Sequence, residues 1–232
     1  MTWITYTIYI LVPVLLAIPF GTYVSKVMAG KKNLLTKIMT PLDRKLSKCF
    51  HFDDKMDWKK YAQSVLSFSF VSFLVLILIL KYQNLLPGNP QQFPGLSWSL
   101  AFNTAISFVT NTNWQSYSGE LTLSNLSQSL GLTVQNFASA GVGIAVLYAL
   151  IRGLVGHQRK DLGNFWQDLT KSIMYILLPL SILVATILIW TGVPQSTAGF
   201  TTATLPDKVA VSSNGTLILG AKVNNKTNRV TL

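Results

Sequence analysis

The chain has 232 residues, of which 50% are hydrophobic and only 12% are charged, and its formal net charge is +11. The apolar residues occur in long runs, which is typical of a membrane protein and argues against a soluble domain. Aromatic residues do not interleave with the basic ones, which argues against nucleic-acid binding.

Four apolar runs are each long enough to cross a bilayer, because a helix needs roughly 20 residues to span a hydrocarbon core of about 30 Å. They cover residues 3–24, 61–80, 130–150 and 171–190. No basic segment precedes the first run, so we expect a retained helix and not a cleaved signal peptide. We therefore predict an all-α membrane protein with about four transmembrane helices.

The positive charge predicts the orientation in the membrane. Ten Lys and Arg residues lie in residues 26–60, whereas residues 82–129 contain none. Cytoplasmic loops are enriched in Lys and Arg. We therefore expect residues 28–60 and 152–171 to be cytoplasmic, with the N-terminus, residues 82–129 and the C-terminal tail outside. The single cysteine, Cys49, then lies in the cytoplasm and cannot form a disulfide within one chain.

The segment after the second run is rich in turn-forming residues, with prolines at positions 87, 90 and 94 and glycines at 88 and 95. Such a segment cannot continue as one helix. Residues 97–108 then predict a short apolar helix, which at about 1.5 Å per residue is roughly 18 Å long. It would reach only part-way through the membrane, so we predict a re-entrant pore helix followed by a loop.

The loop after this helix is polar and uncharged. Its first residues are Val109, Thr110, Asn111, Thr112 and Asn113, and no carboxylate follows until Glu120. Backbone carbonyls in an extended strand can replace the water of a dehydrated monovalent cation, and the C-terminal end of the helix would point partial negative charge toward it. Composition alone is equally typical of an external loop. The preceding apolar helix and the flanking spans favour an ion-binding filter.

Other candidate sites have simpler interpretations. Gly141 and Gly143 resemble a channel filter only superficially, because they lie mid-span, where small residues indicate close helix packing. His51 and His157 are isolated in loops, and we expect them to be solvated. The sequence contains no phosphate-binding loop and no Ser/His/Asp arrangement. We therefore expect no ATP binding, no catalysis by this chain itself and no metal other than the transported cation.

Residues 88–120 and 131–137 resemble the potassium-binding A subunit of the bacterial Kdp potassium-transporting ATPase, and the similarity extends more loosely over residues 1–195. The resemblance implies a helix, pore-loop, helix repeat of the potassium-channel superfamily. It also implies a multi-pass protein of the bacterial inner membrane, which binds extracellular potassium and delivers it to an ATP-hydrolysing B subunit, with a C subunit assisting. By position, the filter strand would be residues 110–113, with Gln115 near the outer mouth.

This sequence also departs from the family pattern. The family's chain is more than twice as long, and its three further pore loops have no counterpart here. Residues 221–232 are basic and unlike the family, which suggests a frameshift or premature termination. We divide the chain into an N-terminal helix (1–27), a cytoplasmic loop (28–60), the first repeat (61–154), a loop with the fourth helix (155–195) and an external tail (196–232).

Two alternative functions remain open at this stage. Four copies could form a homotetrameric passive cation channel, although the loop lacks the glycines that let a symmetric strand present every carbonyl inward. The product could also be a non-functional fragment.

Overall fold

A computed structural model describes residues 3–31, 35–52, 54–156 and 161–193, together with four short strands further along the chain. The helices are α1 (Trp3–Met28), α2 (Thr36–Phe50), α3 (Trp58–Lys81), α4 (Trp98–Val109), α5 (Gly119–Thr122), α6 (Ser127–Val155) and α7 (Phe165–Trp190), with a 3₁₀ turn at Gln83–Leu85. Strands β1 (Thr202–Thr204) and β4 (Arg229–Thr231) pair antiparallel, as do β2 (Ala210–Val211) and β3 (Leu217–Ile218).

Helices α1, α3, α6 and α7 are the four long apolar helices, and the prediction of an all-α membrane protein with four spans is confirmed. Their outward-facing Leu, Ile and Val side chains are largely exposed, as hydrocarbon-facing side chains can be. Two of these helices contain wide π-helical turns, at Ser127–Thr133 in α6 and at Ser172–Leu177 in α7.

Helix α2 differs from the prediction, because the sequence of residues 28–60 indicates a loop. The segment is basic and contains Pro41, which normally disfavours a helix interior, yet the helix runs through Pro41 to Phe50. It ends at His51, whose φ of 50° is left-handed. Asp57 then starts α3, since its side chain accepts a hydrogen bond from the Lys60 amide at 2.8 Å, as expected of an N-cap residue.

Helix α4 is the short apolar helix predicted from the sequence, and it has 12 residues. The Ser97 hydroxyl caps its start by accepting a hydrogen bond from the Leu100 amide at 3.3 Å. Its buried face packs against α3, with Ala101, Ala105 and Phe108 in one cluster with Leu76 and Leu80 of α3. This packing fixes the direction in which α4 delivers the chain to the polar loop.

The predicted packing role of Gly141 is confirmed. A Cβ at Gly141 would lie 2.8 Å from Cγ1 of Ile173 in α7, so α6 and α7 approach closely there. Gly143 differs, because a Cβ there would have no neighbour within 4 Å among the described residues.

Gly95 lets the chain before α4 lie directly on the end of α3. The Leu96 amide donates to the Leu80 carbonyl at 3.2 Å, and the Lys81 ammonium donates to the Leu96 carbonyl at 3.1 Å. A Cβ at Gly95 would be 1.9 Å from the Lys81 carbonyl oxygen. We therefore expect Gly95→Ala to lower the free energy of unfolding by about 2–3 kcal/mol, as overpacking against fixed backbone does.

The measurement is equilibrium unfolding in detergent micelles. Gly143→Ala is the matched control, since it adds the same methyl group where there is open space. Equal stabilities for the two variants would contradict the close approach at Gly95.

Candidate ion-binding loop

The polar loop begins as a tight turn beneath the end of α4. The Thr110 amide and hydroxyl both donate to the Ile106 carbonyl, at 3.0 and 2.8 Å. The amides of Thr112 and Asn113 then donate to the Ser107 carbonyl, at 3.0 and 3.2 Å, and the Thr112 hydroxyl donates to the same oxygen at 2.9 Å. The extended strand expected here is therefore wrong for this structure, because the unpaired carbonyls at the helix end draw the following amides back.

Two asparagines adopt left-handed backbone conformations in this turn. Asn111 has a φ of 58° and Asn113 a φ of 56°. Asparagine enters this region more readily than other residues with a Cβ. The loop thus contains left-handed conformations at residues 111 and 113. From the sequence alone, such conformations were expected to need glycine.

Two buried serines hold the turn in place. The Ser107 hydroxyl in α4 donates to the Trp114 carbonyl at 2.9 Å. The Ser139 hydroxyl in α6 lies 3.2 Å from Oδ1 of Asn111 and shares its proton with the Gln135 carbonyl of its own helix, at 2.9 Å. Both side chains are buried. Neither serine was predicted, although an isolated hydroxyl in an apolar span is a signal that a polar partner lies nearby.

The structure brings the four central predicted residues into one turn. The hydroxyls of Thr110 and Thr112 lie 3.1 Å apart. Residues 110–113 are exposed, Gln115 is an exposed residue two positions further on, and Val109 is the half-buried last residue of α4. Within the part of the chain that the structure describes, no hydrogen bond ends on the carbonyl oxygens of residues 110–113. Four carbonyl groups are therefore available for another electropositive partner.

A single negative charge follows the neutral turn. Glu120 lies in the short helix α5 and is fully exposed. Its own backbone amide and the Ser118 hydroxyl, which donates to Oε2 at 2.9 Å, hold the pKa of the Glu120 carboxyl below its ordinary value. Glu120 is thus ionised at neutral pH.

The Gln83 side chain ties together the two segments that flank the loop. It is fully buried after the end of α3. Its amide nitrogen donates to the carbonyls of Pro94, before α4, and Thr122, after it, at 2.7 and 2.9 Å. Its oxygen accepts from the Ser124 amide and the Ser127 hydroxyl, each at 3.0 Å. All four hydrogen-bonding positions of this amide are used, so the frame of the loop is rigidly defined.

An ion pair joins α6 and α7 at the opposite end of these helices. Asp168 is fully buried and receives two bonds from the Arg152 guanidinium, at 2.7 and 2.5 Å. The Tyr61 hydroxyl of α3 also contacts this carboxylate, at 3.1 Å, and donates to the Ala145 carbonyl at 2.9 Å. This cluster holds α3, α6 and α7 together, and α6 carries Ser139 to the loop.

The described residues contain no group of three or more His, Cys, Asp or Glu side chains that could hold a metal ion. The oxygens gathered in the loop are neutral, with Glu120 set apart from them. Neutral oxygens suit a monovalent cation better than a divalent one, which favours carboxylate ligands.

The sequence profile of the potassium-transporting ATPase A subunit matches residues 7–221. The chain is 51% identical, over 92% of its length, to the potassium-binding subunit of the potassium-transporting ATPase of Clostridium botulinum strain Alaska E43, and covers 37% of that protein. It is 52% identical to the corresponding subunits of Clostridium perfringens and Pseudomonas aeruginosa PAO1, over 82% of this chain and 33% and 34% of theirs. The chain thus spans about a third of the length of these relatives.

Proposed function

Because the chain belongs to the family of potassium-transporting ATPase A subunits, we propose that it binds extracellular potassium for an ATP-driven uptake complex. Its site is the turn formed by Val109, Thr110, Asn111, Thr112 and Asn113, with Gln115 at the outer mouth. The observation that carries this proposal is a neutral turn, held by Ser107 and Ser139, whose four carbonyls accept no hydrogen bond from any described residue.

The geometry supports binding of a partly dehydrated cation. A potassium ion loses water only where other oxygens replace it at similar distance. The amides of Thr112 and Asn113 donate to the Ser107 carbonyl, and the Asn111 amide donates to the Phe108 carbonyl, so none of them competes for the carbonyls of residues 110–113. The C-terminal end of α4 adds partial negative charge beside the turn. One loop supplies one side of a coordination shell, so the remaining oxygens have to come from outside residues 109–115.

The remaining features of the proposal follow from the charge distribution and the family. The chain is an ion-binding subunit that hydrolyses no ATP itself and hands potassium to an ATP-hydrolysing B subunit, in a complex that also contains a C subunit. It lies in the bacterial inner membrane with the N-terminus and the loop outside, since the Lys and Arg residues concentrate at the opposite end of the spans.

Two substitutions test the loop in the complete complex with its B and C subunits. Thr112→Val removes the hydroxyl that donates to the Ser107 carbonyl. Because losing such a bond costs about 1 kcal/mol, we expect the potassium concentration that gives half-maximal ATPase activity to rise roughly fivefold. Asn111→Asp places a negative charge in the turn and should shift preference toward divalent cations.

Ser116→Ala is the control for this pair, because Ser116 is an exposed hydroxyl in the same loop with no hydrogen bond among the described residues. We expect it to behave as the wild type. Unchanged potassium and rubidium dependence in Thr112→Val and Asn111→Asp, with the complex intact, would contradict the site.

A passive homotetrameric channel remains a second candidate because of the left-handed Asn111 and Asn113. Their conformations show that the loop enters the left-handed region without glycine. Liposomes containing only this chain distinguish the two functions: a potassium flux from a stable tetramer, without B and C subunits, would favour the channel. Absence of flux together with potassium-dependent ATPase activity in the complex would favour the uptake subunit.

A further inference from the structure

A basic groove lies between α2 and α7, beside the end of α1. It consists of two adjoining depressions of about 220 Å³ each, which share Gln167 and Lys171 of α7. Lys31 lines the first depression, and Arg44 lines the second. None of these residues belongs to the loop described above.

The lining of the groove is cationic. It presents the charged groups of Lys31, Arg44 and Lys171, and its described lining residues include no carboxylate. The Lys171 ammonium is positioned by the end of α1, where it donates to the Met28 carbonyl at 3.4 Å. Arg44 and Lys31 are exposed. Ammonium and guanidinium groups along a groove whose described lining residues include no carboxylate are suited to an anion, and above all to phosphate oxygens.

Two hydroxyls in the groove can complete the recognition of an anion. Ser47 of α2 and Thr170 of α7 line the depression that contains Arg44. Among the described residues, neither hydroxyl has a hydrogen-bond partner. Each can therefore donate to an oxygen of a bound phosphate ester.

The position of the groove indicates what carries the phosphate. The groove is at the end of the spans where Lys and Arg concentrate, which is the cytoplasmic side. Helix α2 is amphipathic and basic, and such helices lie in the membrane interface. Buried apolar residues, Val27 and Phe52, also line the two depressions and can contact the glycerol end of a lipid.

We propose that this groove binds the phosphate headgroup of an anionic phospholipid of the inner leaflet. Basic pockets between helices on the cytoplasmic side recognise lipid headgroups in this way. The bound lipid would pin α2 against α7 and α1. The proposal is independent of the ion-binding loop and needs no other subunit.

The test measures lipid binding to the full chain in zwitterionic detergent. Phosphatidylglycerol and phosphatidylcholine are titrated separately, with native mass spectrometry counting the retained lipids. Arg44→Gln should weaken phosphatidylglycerol binding about fivefold, the effect of one basic residue near an anionic surface. Lys45→Gln is the matched control, because it removes the same charge from the next residue of α2, which is exposed and does not line the groove.

We expect retention of phosphatidylglycerol over phosphatidylcholine by the wild type and Lys45→Gln, and loss of that preference in Arg44→Gln. Equal weakening in both variants would show diffuse attraction and overturn the groove. If the wild type does not prefer phosphatidylglycerol to phosphatidylcholine, the proposed groove is also overturned. Millimolar inorganic phosphate should not displace phosphatidylglycerol from the groove. If it displaces the bound lipid as effectively as added phosphatidylglycerol does, the groove is a site for free phosphate and the lipid proposal is overturned. Unchanged melting of Arg44→Gln without lipid verifies that its fold is intact.

Discussion

Asp168→Ala should lower the free energy of unfolding by about 3–5 kcal/mol, the cost of removing one partner from a buried ion pair. The substitution leaves the Arg152 guanidinium, whose side chain is 19% exposed, without its carboxylate. It also removes a partner of the buried Tyr61 hydroxyl. Equilibrium unfolding in mixed detergent micelles, followed by helical circular dichroism, measures the loss.

Asp161→Ala is the matched control for this prediction. Asp161 pairs with Lys55 at 3.7 Å, and their side chains are 38% and 76% exposed. Exposed ion pairs contribute about 0–1 kcal/mol, so this variant should be close to the wild type. A similar small loss in both variants would contradict the structural role of the Arg152–Asp168 pair.

Gln83→Ala should destabilise the outer end of the protein by about 1–3 kcal/mol. It leaves the Pro94 and Thr122 carbonyls and the Ser124 amide without their partner. Only the Ser124 amide is fully buried, and one buried polar group left unsatisfied costs about 1–3 kcal/mol. The same side chain connects the segments on both sides of α4. The potassium concentration that gives half-maximal ATPase activity in the complete complex should therefore rise as well.

The control is Gln91→Ala, in the same external segment. The Gln91 side chain is half-buried and makes no hydrogen bond among the described residues. Protease accessibility of residues 86–96 and unfolding in micelles distinguish the two variants. If Gln83→Ala is no more accessible or less stable than Gln91→Ala, the amide does not anchor the segment.

The long spans and α4 could be predicted from the sequence because their signals are local. Continuous apolar runs predict α3 and α7, and Ser97 ahead of an apolar run predicts α4. Helix α2 was missed although its amphipathic spacing is a helix signal, because its basic composition and Pro41 argue for a loop. The helix also contacts α7. Its interpretation as a loop followed from composition alone.

The residues of the loop were predictable, but its conformation was not. The Thr-Asn-Thr-Asn pattern indicates neutral oxygens, whereas the tight turn depends on capture of two amides by Ser107 and on Ser139 from another helix. Gln83 and its partner Ser127 are 44 residues apart in sequence. Neither hydropathy nor periodicity carries information about such pairings, which depend on how the helices pack.

The π-helical turn at Ser127–Thr133 determines the angular phase of α6. Ser127, in the π-helical turn, faces Gln83. Ser139, in the regular part of α6 that follows, faces Asn111. In a regular α-helix each residue advances the side chains by about 100°. Each residue of the wide turn advances the side chains by less than this, so the turn offsets the part of α6 that carries Ser139 from the phase that a regular helix would give it. This offset in phase lets one helix contact Gln83 near its start and Asn111 further along.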